Sequence, residues 1–169
     1  MINFKSSVGF SLCLVTIPLI LGCHSKEERE SRNLAELRKK TEGLYELYLS
    51  GDYKQAKDNL DRIVELNQIT EQPLNDRAHA LFFTYARMYA LERTVGNDNL
   101  AEAELVKSRY WALLEAESGG HNDTEAGEYV KPMTGDFIFN FIVQWDERAS
   151  GGRGPNYMKG PVVARPERQ

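Results

Sequence analysis

The apolar side chains of this sequence recur at intervals of three and four residues, which is the spacing of one face of an α-helix. A first stripe spans residues 34–48 and ends at the turn Ser50-Gly51-Asp52, and a second stripe spans residues 53–68. The residues of the two stripes are Leu34, Leu37, Thr41, Leu44 or Tyr45, and Tyr48, then Tyr53, Ala56, Leu60, Ile63 and Val64. Two such stripes joined by a short turn that contains glycine predict a helical hairpin.

A second pair of stripes follows the loop around Pro73. Its first helix is expected to start near Asn75 or Asp76, either of which can cap a helix, and to end at Gly96-Asn97-Asp98. Its second helix is expected to run to Gly119-Gly120. The stripe residues are Ala78, Leu81, Phe82, Tyr85, Met88 and Tyr89, then Leu100, Ala103, Val106, Tyr110, Leu113 and Leu114. The pattern therefore predicts a second helical hairpin.

The segment Phe137 to Trp145 fits two kinds of secondary structure. Its apolar residues alternate as in a β-strand, yet some of them also share one face of a helix. We favour the helix because Thr134 can cap it and because the negative charge of Asp136 is favourable near the positive, N-terminal end of a helix dipole. A single strand would also have no partner strand in a fold that is otherwise helical. The sequence thus predicts an all-α fold over residues 34–149, with a capping helix at residues 137–148.

The first residues of the chain have the pattern of an export signal. Lys5 precedes an apolar run that ends at Gly22, where a signal peptidase needs a small residue. The tetrad Ile20-Leu21-Gly22-Cys23 resembles the lipobox of bacterial lipoproteins. The resemblance implies that residues 1–22 are a signal peptide and that Cys23 is acylated. It also implies a location on the extracytoplasmic side of the bacterial cell envelope, at either membrane. The alternatives are a plain secretory signal and a short membrane anchor, although a bilayer-spanning helix needs about 20 apolar residues.

Two segments that flank the helical region have compositions typical of chain without a packed core. Residues 23–33 are almost entirely polar and charged, so they are predicted to form a lipidated tether. Residues 150–169 are rich in glycine, proline and arginine, so they are predicted to form a disordered tail. Trp111 and Trp145 lie between these segments and are predicted to be core residues.

The segment Leu44 to Gln68 resembles a tetratricopeptide repeat, a 34-residue helical hairpin that stacks into arrays. Gly51-Asp52-Tyr53 matches the inter-helix turn, Ala56 matches the small residue of the second helix, and Leu60 matches the large apolar residue that follows. The resemblance implies a short hairpin array whose concave groove is lined by the first helix of each hairpin. The candidate groove residues are Arg38, Tyr45, Tyr48, His79, Phe82, Tyr89 and Arg93. The alternative is that most of these rings are buried between helices.

The net charge and the reactive side chains reduce the range of functions that the sequence allows. The net charge is −4 and the basic residues are not clustered, which argues against a nucleic-acid partner. The only cysteines are Cys13, in the predicted signal, and Cys23, so no thiol is left for disulfide or thiolate chemistry. His24, His79 and His121 are too far apart for a metal-ligand motif. No metal site and no cofactor is therefore predicted.

The sequence also contains no phosphate-binding loop, nucleophile elbow or zinc-protease motif, so we do not expect an enzyme. The predicted partners are the membrane, through lipid on Cys23, and an envelope protein or peptide in the groove. Exported lipoproteins with such repeats resemble proteins that assist the assembly of envelope machines, which makes a scaffolding role the leading hypothesis. The alternative is a small-ligand-binding accessory lipoprotein of a transport system.

Overall fold

The computed structural model describes residues 25–44, 52–149 and 151, and all regular secondary structure in these residues is α-helical. The helices are α1 (Lys26–Glu42), α2 (Tyr53–Ile69), α3 (Leu74–Val95), α4 (Asp98–Ser118), α5 (Asp123–Val130) and α6 (Gly135–Ala149). The predicted all-α fold is confirmed. The helical choice at residues 137–145 is also confirmed, and Thr134 Oγ1 accepts a hydrogen bond from the Phe137 backbone N–H at 3.2 Å.

Helix α1 begins at Lys26, well before the first residue of the apolar stripe. The reason is a capping box, in which Ser25 Oγ accepts from the Glu28 N–H and Glu28 Oε2 accepts from the Ser25 N–H, both at 3.1 Å. These two bonds satisfy backbone donors that a helix start leaves unpaired. The predicted tether, residues 23–33, is therefore helical from Lys26 onward, and only its first residues lie outside the described part of the chain.

Two further helix starts differ from the sequence prediction. Asn75 and Asp76 lie in the first turn of α3 and do not cap it; Pro73 is at the cap position, where it makes no side-chain hydrogen bond. A short helix that the stripes did not predict, α5, starts at Asn122, whose Oδ1 accepts from the backbone N–H of Glu125 at 3.1 Å. Glycine ends α3 as expected, since Gly96 adopts the left-handed conformation with φ of 82°.

Helix α3 is the centre of the domain. The residues of its predicted apolar stripe, from Ala78 to Tyr89, are buried. The structure also buries residues on other sides of this helix, among them Phe83, Arg87 and Leu91. One hydrophobic cluster fills the space between α3 and the α1–α2 pair, and a second fills the space between α3 and helices α4 to α6. Trp111 on α4 contacts both clusters. A helix that buries residues on several sides occupies such a central position.

The remaining helices pack around α3 in chain order until the last one. Each helix from α1 to α4 packs on the next one, up to α5, whereas α6 returns to pack on α3. Ile138 and Ile142 anchor α6 there with no exposed surface. None of the helices in the described ranges is both long and apolar enough to cross a membrane.

Candidate binding groove

A groove of about 280 Å³ opens between α1, α3 and α6. Its walls combine apolar and polar side chains, and no lysine, aspartate or glutamate is among the lining residues that the structure describes. The apolar lining residues are Leu37, Leu44, Ile63, Ala80, Phe83 and Trp145, and the others are Thr41, Asn67, Gln72, His79, Thr84 and Arg87. The groove is thus an apolar concavity with a polar margin.

A continuous row of aromatic rings runs along the α3 and α6 side of the groove. His79 and Phe83 on α3 have ring centroids 4.8 Å apart, and Trp145 on α6 lies 5.1 Å from Phe83. Phe141 lies 5.9 Å from Trp145, and Phe137 stacks on Phe141 with only 2° between the ring planes. We call these five residues the aromatic row. Such distances are favourable for aromatic pairs, so the row is a preorganised surface.

The outer part of the aromatic row is accessible to a partner. Phe137 is 47% exposed and Trp145 is 46% exposed, which is unusual for rings that already contact neighbouring rings. Both lie on the same face of α6 as Phe141, at intervals of four residues. Tyr and Trp rings that combine a packed body with an exposed edge are enriched among residues that dominate binding energy.

An ion pair behind the aromatic row fixes α6 against α3. Arg87 Nε and Nη2 donate to the two oxygens of Asp146, at distances between 2.7 and 3.2 Å. The Arg87 guanidinium also lies 5.7 Å from the centroid of the Phe83 ring. Because the Asp146 side chain is almost fully buried, this bidentate contact sets the position of the neighbouring Trp145.

A second arginine, Arg93, joins α3 to the start of α6. It donates to the Tyr89 hydroxyl at 2.9 Å and to Asp136 Oδ1 at 2.7 Å, and it lies 4.8 Å from the centroid of the Phe139 ring. The hydrogen bond to Asp136, followed by that to Tyr89, raises the pKa of Arg93. Arg93 therefore serves the α3–α6 contact and is not a free groove residue.

The structure places the predicted groove residues in different surroundings. Phe82 and Tyr89 are 6% and 5% exposed, so they are core residues because α6 packs over that face of α3. Arg38 is exposed but pairs with Glu42 on its own helix at 2.8 Å. Of the five candidates that the structure describes, His79 alone lines the groove. Tyr45 and Tyr48 lie outside the described residues.

The residues that the sequence analysis missed are Phe83, Phe137 and Phe141, together with Trp145, which it assigned to the core. That assignment was wrong because α6 buries Ile138 and Ile142 against α3 and leaves the Trp145 edge outside. The available signal was the spacing of aromatic residues at positions 137, 141 and 145, which places them on one helix face.

The groove margin carries one close pair of titratable groups. His79 Nδ1 lies 2.6 Å from Glu115 Oε1, so the carboxylate of this α4 residue already engages that ring nitrogen.

In the described part of the chain, no group of three or more His, Cys, Asp or Glu side chains is placed to hold a metal ion. The apolar lining of the groove and the aromatic row offer a binding surface for apolar groups. Comparisons of the chain with protein-family models, with curated proteins and with solved structures find no match.

Proposed function

We propose that this protein is a lipid-anchored, extracytoplasmic module of tetratricopeptide-like hairpins that binds a peptide segment of an envelope protein in the groove between α1, α3 and α6. The observation that carries the proposal is the half-exposed edge of the aromatic row beside an apolar concavity. Preorganised aromatic edges gain binding energy without a large ordering cost. The role is that of an interaction scaffold in assembly at the envelope.

The size of the groove favours a peptide over a small solute. Pockets that enclose drug-sized ligands measure about 300–1,000 Å³, and this groove of about 280 Å³ lies just below that range. Trp145 lines the groove, and ring contacts continue from it along α6 through Phe141 to Phe137, so a longer ligand can follow this surface. A peptide with one or two apolar side chains in the groove fits this shape.

The polar margin of the groove suits an extended peptide backbone. Thr41 Oγ1 donates its proton to the Leu37 carbonyl at 3.0 Å, and Thr84 Oγ1 donates to the Ala80 carbonyl at 2.7 Å. A hydroxyl whose proton is used in this way still has a lone pair, so it can accept from a peptide N–H. Hydrogen bonds of this kind orient a ligand without selecting a charged one.

The membrane anchor in this proposal rests on the lipobox at residues 20–23, which lie outside the described part of the chain. Intact-mass measurement of the mature protein tests it. We expect the chain to begin at Cys23 with an acyl mass increment, and we expect Cys23→Ala to prevent processing. A mature chain without that increment contradicts the anchor.

Affinity capture from native envelopes tests the binding role. We expect Trp145→Ala to reduce recovery of the partner at least tenfold, because truncation of a central hot-spot residue often costs about 2 kcal/mol or more. Tyr129→Ala is the matched control, since Tyr129 is 55% exposed and does not line this groove. Equal recovery by both variants contradicts the proposal. A rise in melting temperature with a small solute, without any captured protein, favours the transport-accessory alternative.

A further inference from the structure

One end of the domain carries two exposed apolar side chains on a single short loop. Ile69, the last residue of α2, is 55% exposed, and Leu74, the first residue of α3, is 44% exposed. The loop between them, residues 70–73, includes exposed Pro73. Single exposed aliphatic side chains are common at protein surfaces, so the meaning of these two depends on what lies beside them.

The same loop is fastened to the beginning of α1. The Glu71 backbone N–H donates to Glu30 Oε1 at 2.6 Å, and the Glu71 carboxylate lies 2.5 Å from Lys26 Nζ. Helix α1 itself starts immediately after Ser25 because of the capping box with Glu28. The α2–α3 loop and the first turns of α1 therefore form one end of the domain.

This end of the domain is also the end nearest to the predicted lipid site. Only two peptide steps separate Cys23 from Ser25, and two residues span at most about 7 Å. A lipid on Cys23 is consequently held beside the loop by a very short connection. A tether of eleven residues, as the sequence alone predicted, would have left the domain free to take any orientation.

We propose that this end of the domain rests on the membrane, with Ile69 and Leu74 in contact with lipid beside the acylated Cys23. The inference depends on the lipid anchor of the proposed function. Two aliphatic side chains are too few to bind a bilayer alone. Because the anchor makes their contact intramolecular, the effective concentration of lipid is high and a weak contact suffices.

The contact is apolar and not electrostatic. Lys26 is already paired with Glu71. The other basic residues near the starts of α1 and α3 are interspersed with acidic ones; the basic residues are Arg29, Arg32 and Arg77, and the acidic ones are Glu27, Glu28, Glu30 and Asp76. Anionic lipids attract clusters of lysine and arginine, whereas basic and acidic side chains are mixed at this end of the domain. The orientation should therefore be insensitive to salt and to the fraction of anionic lipid.

The orientation places the groove close to the membrane surface. His79, at the groove margin, follows Leu74 by five residues, which is about 7.5 Å along α3. The far end of α3, at Val95, is about 30 Å from the lipid. A peptide bound in the groove would thus be a membrane-proximal segment of its parent protein.

Spin labels on the lipidated full-length chain test this placement. With Cys13 removed and Cys23 acylated, Ile69→Cys and Leu74→Cys each introduce a single reactive thiol for a nitroxide. Leu100→Cys is the matched control, because Leu100 is 49% exposed and follows the opposite end of α3. Vesicles of phosphatidylcholine with and without phosphatidylglycerol supply the membrane, and collision rates with oxygen and with a water-soluble nickel chelate report the surroundings.

At positions 69 and 74 we expect oxygen collisions to rise and nickel collisions to fall severalfold on vesicle binding, with no change at position 100. The same values should be found in both vesicle types and at high salt. An acylated preparation in which all three labels remain in water overturns the inference alone. A preparation without acyl mass on Cys23 overturns the anchor, and the inference with it.

Discussion

Arg87 on α3 and Asp146 on α6 form a buried ion pair directly behind the aromatic row, with Arg87 Nη2 and Asp146 Oδ1 2.7 Å apart. Their side chains are 10% and 1% exposed. The pair joins the central helix to the helix that carries Trp145. It therefore links the stability of the domain to the geometry of the groove.

Removal of one partner of this pair should be strongly destabilising. We expect Asp146→Ala to lower the free energy of unfolding by about 3–5 kcal/mol, because the Arg87 charge would stay buried without its carboxylate. Glu42→Ala is the control, since it breaks only the solvent-exposed pair with Arg38 and should leave the stability nearly unchanged. Urea unfolding measures both values. Similar losses in the two variants would show that Arg87 is solvated.

Two glycine substitutions should change stability in opposite directions. A Cβ at Gly135 would overlap the Tyr89 hydroxyl and lie 3.4 Å from Leu105 Cδ2, and Tyr89 is held by Arg93, so Gly135→Ala should cost about 1–3 kcal/mol. A Cβ at Gly127, inside α5, would meet no atom within 4 Å. Gly127→Ala should thus stabilise the protein by about 0.5–1 kcal/mol. Thermal unfolding measures both shifts, and shifts of the same sign would contradict the α3–α6 packing.

The buried carboxylate of Glu92 should make stability dependent on pH. Burial by itself would raise the pKa of Glu92, but hydrogen bonds from Lys57, Asn97 and Tyr53 outweigh it and hold the pKa below its ordinary value of 4.5. A carboxyl group whose pKa is lower in the folded than in the unfolded protein stabilises the fold at pH values above its unfolded-state pKa. That stabilisation is lost as the pH falls through the pKa of the folded state.

Comparison of the wild type with Glu92→Gln isolates this contribution. At pH 7 the variant should be less stable by about 1.5–3 kcal/mol, because charge-assisted hydrogen bonds are lost. The difference should be constant between about pH 6 and 8 and should shrink below the ordinary glutamate pKa. Chemical unfolding at a series of pH values measures it. A difference that does not vary with pH would mean that Glu92 is not ionised in the folded protein.

Enlargement of Ala56 tests the close approach of α2 to its neighbours. Ala56 is 1% exposed and belongs to the cluster between α3 and the α1–α2 pair, so Ala56→Leu should cost about 1–3 kcal/mol through overpacking. Ala103→Leu is the control, because Ala103 lies on the exposed side of α4 and the change should stay within about 0.5 kcal/mol. An unchanged melting temperature for Ala56→Leu would place that residue at the surface.

The helical fold was predictable because turn residues separate segments whose apolar residues recur at helical spacing. The buried faces were less predictable: Leu100, Val106 and Tyr110 of the predicted α4 stripe are exposed, because α4 buries Ala101, Leu105 and Ala112 instead.

The early start of α1 was also encoded, since Ser25 and Glu28 have the spacing of a capping box, but the polar composition of that segment concealed it. The same holds for Asn122 and Glu125 at α5. Local caps can therefore reveal helices that hydrophobic periodicity does not show.

The groove was not predictable to the same extent, because its position depends on which helices meet. The periodicity of α3 shows which residues are apolar, but it does not show that α6 covers Phe82 and Tyr89 and leaves the Phe83 side at the groove. That choice is made by long-range contacts, above all Arg87 with Asp146. Two charged residues 59 positions apart carry no recognisable spacing.

Site-specific photo-cross-linking in cells tests the central claim, peptide binding in the groove, most directly. A photoreactive phenylalanine analogue replaces Trp145 in the lipidated chain and, as a control, replaces Tyr129 at a similarly exposed position. The account predicts a discrete cross-linked envelope protein from position 145, with the cross-link mapped to one peptide segment, and none from position 129. Identical adducts from both positions, or none from position 145 while the protein is folded and anchored, would contradict it.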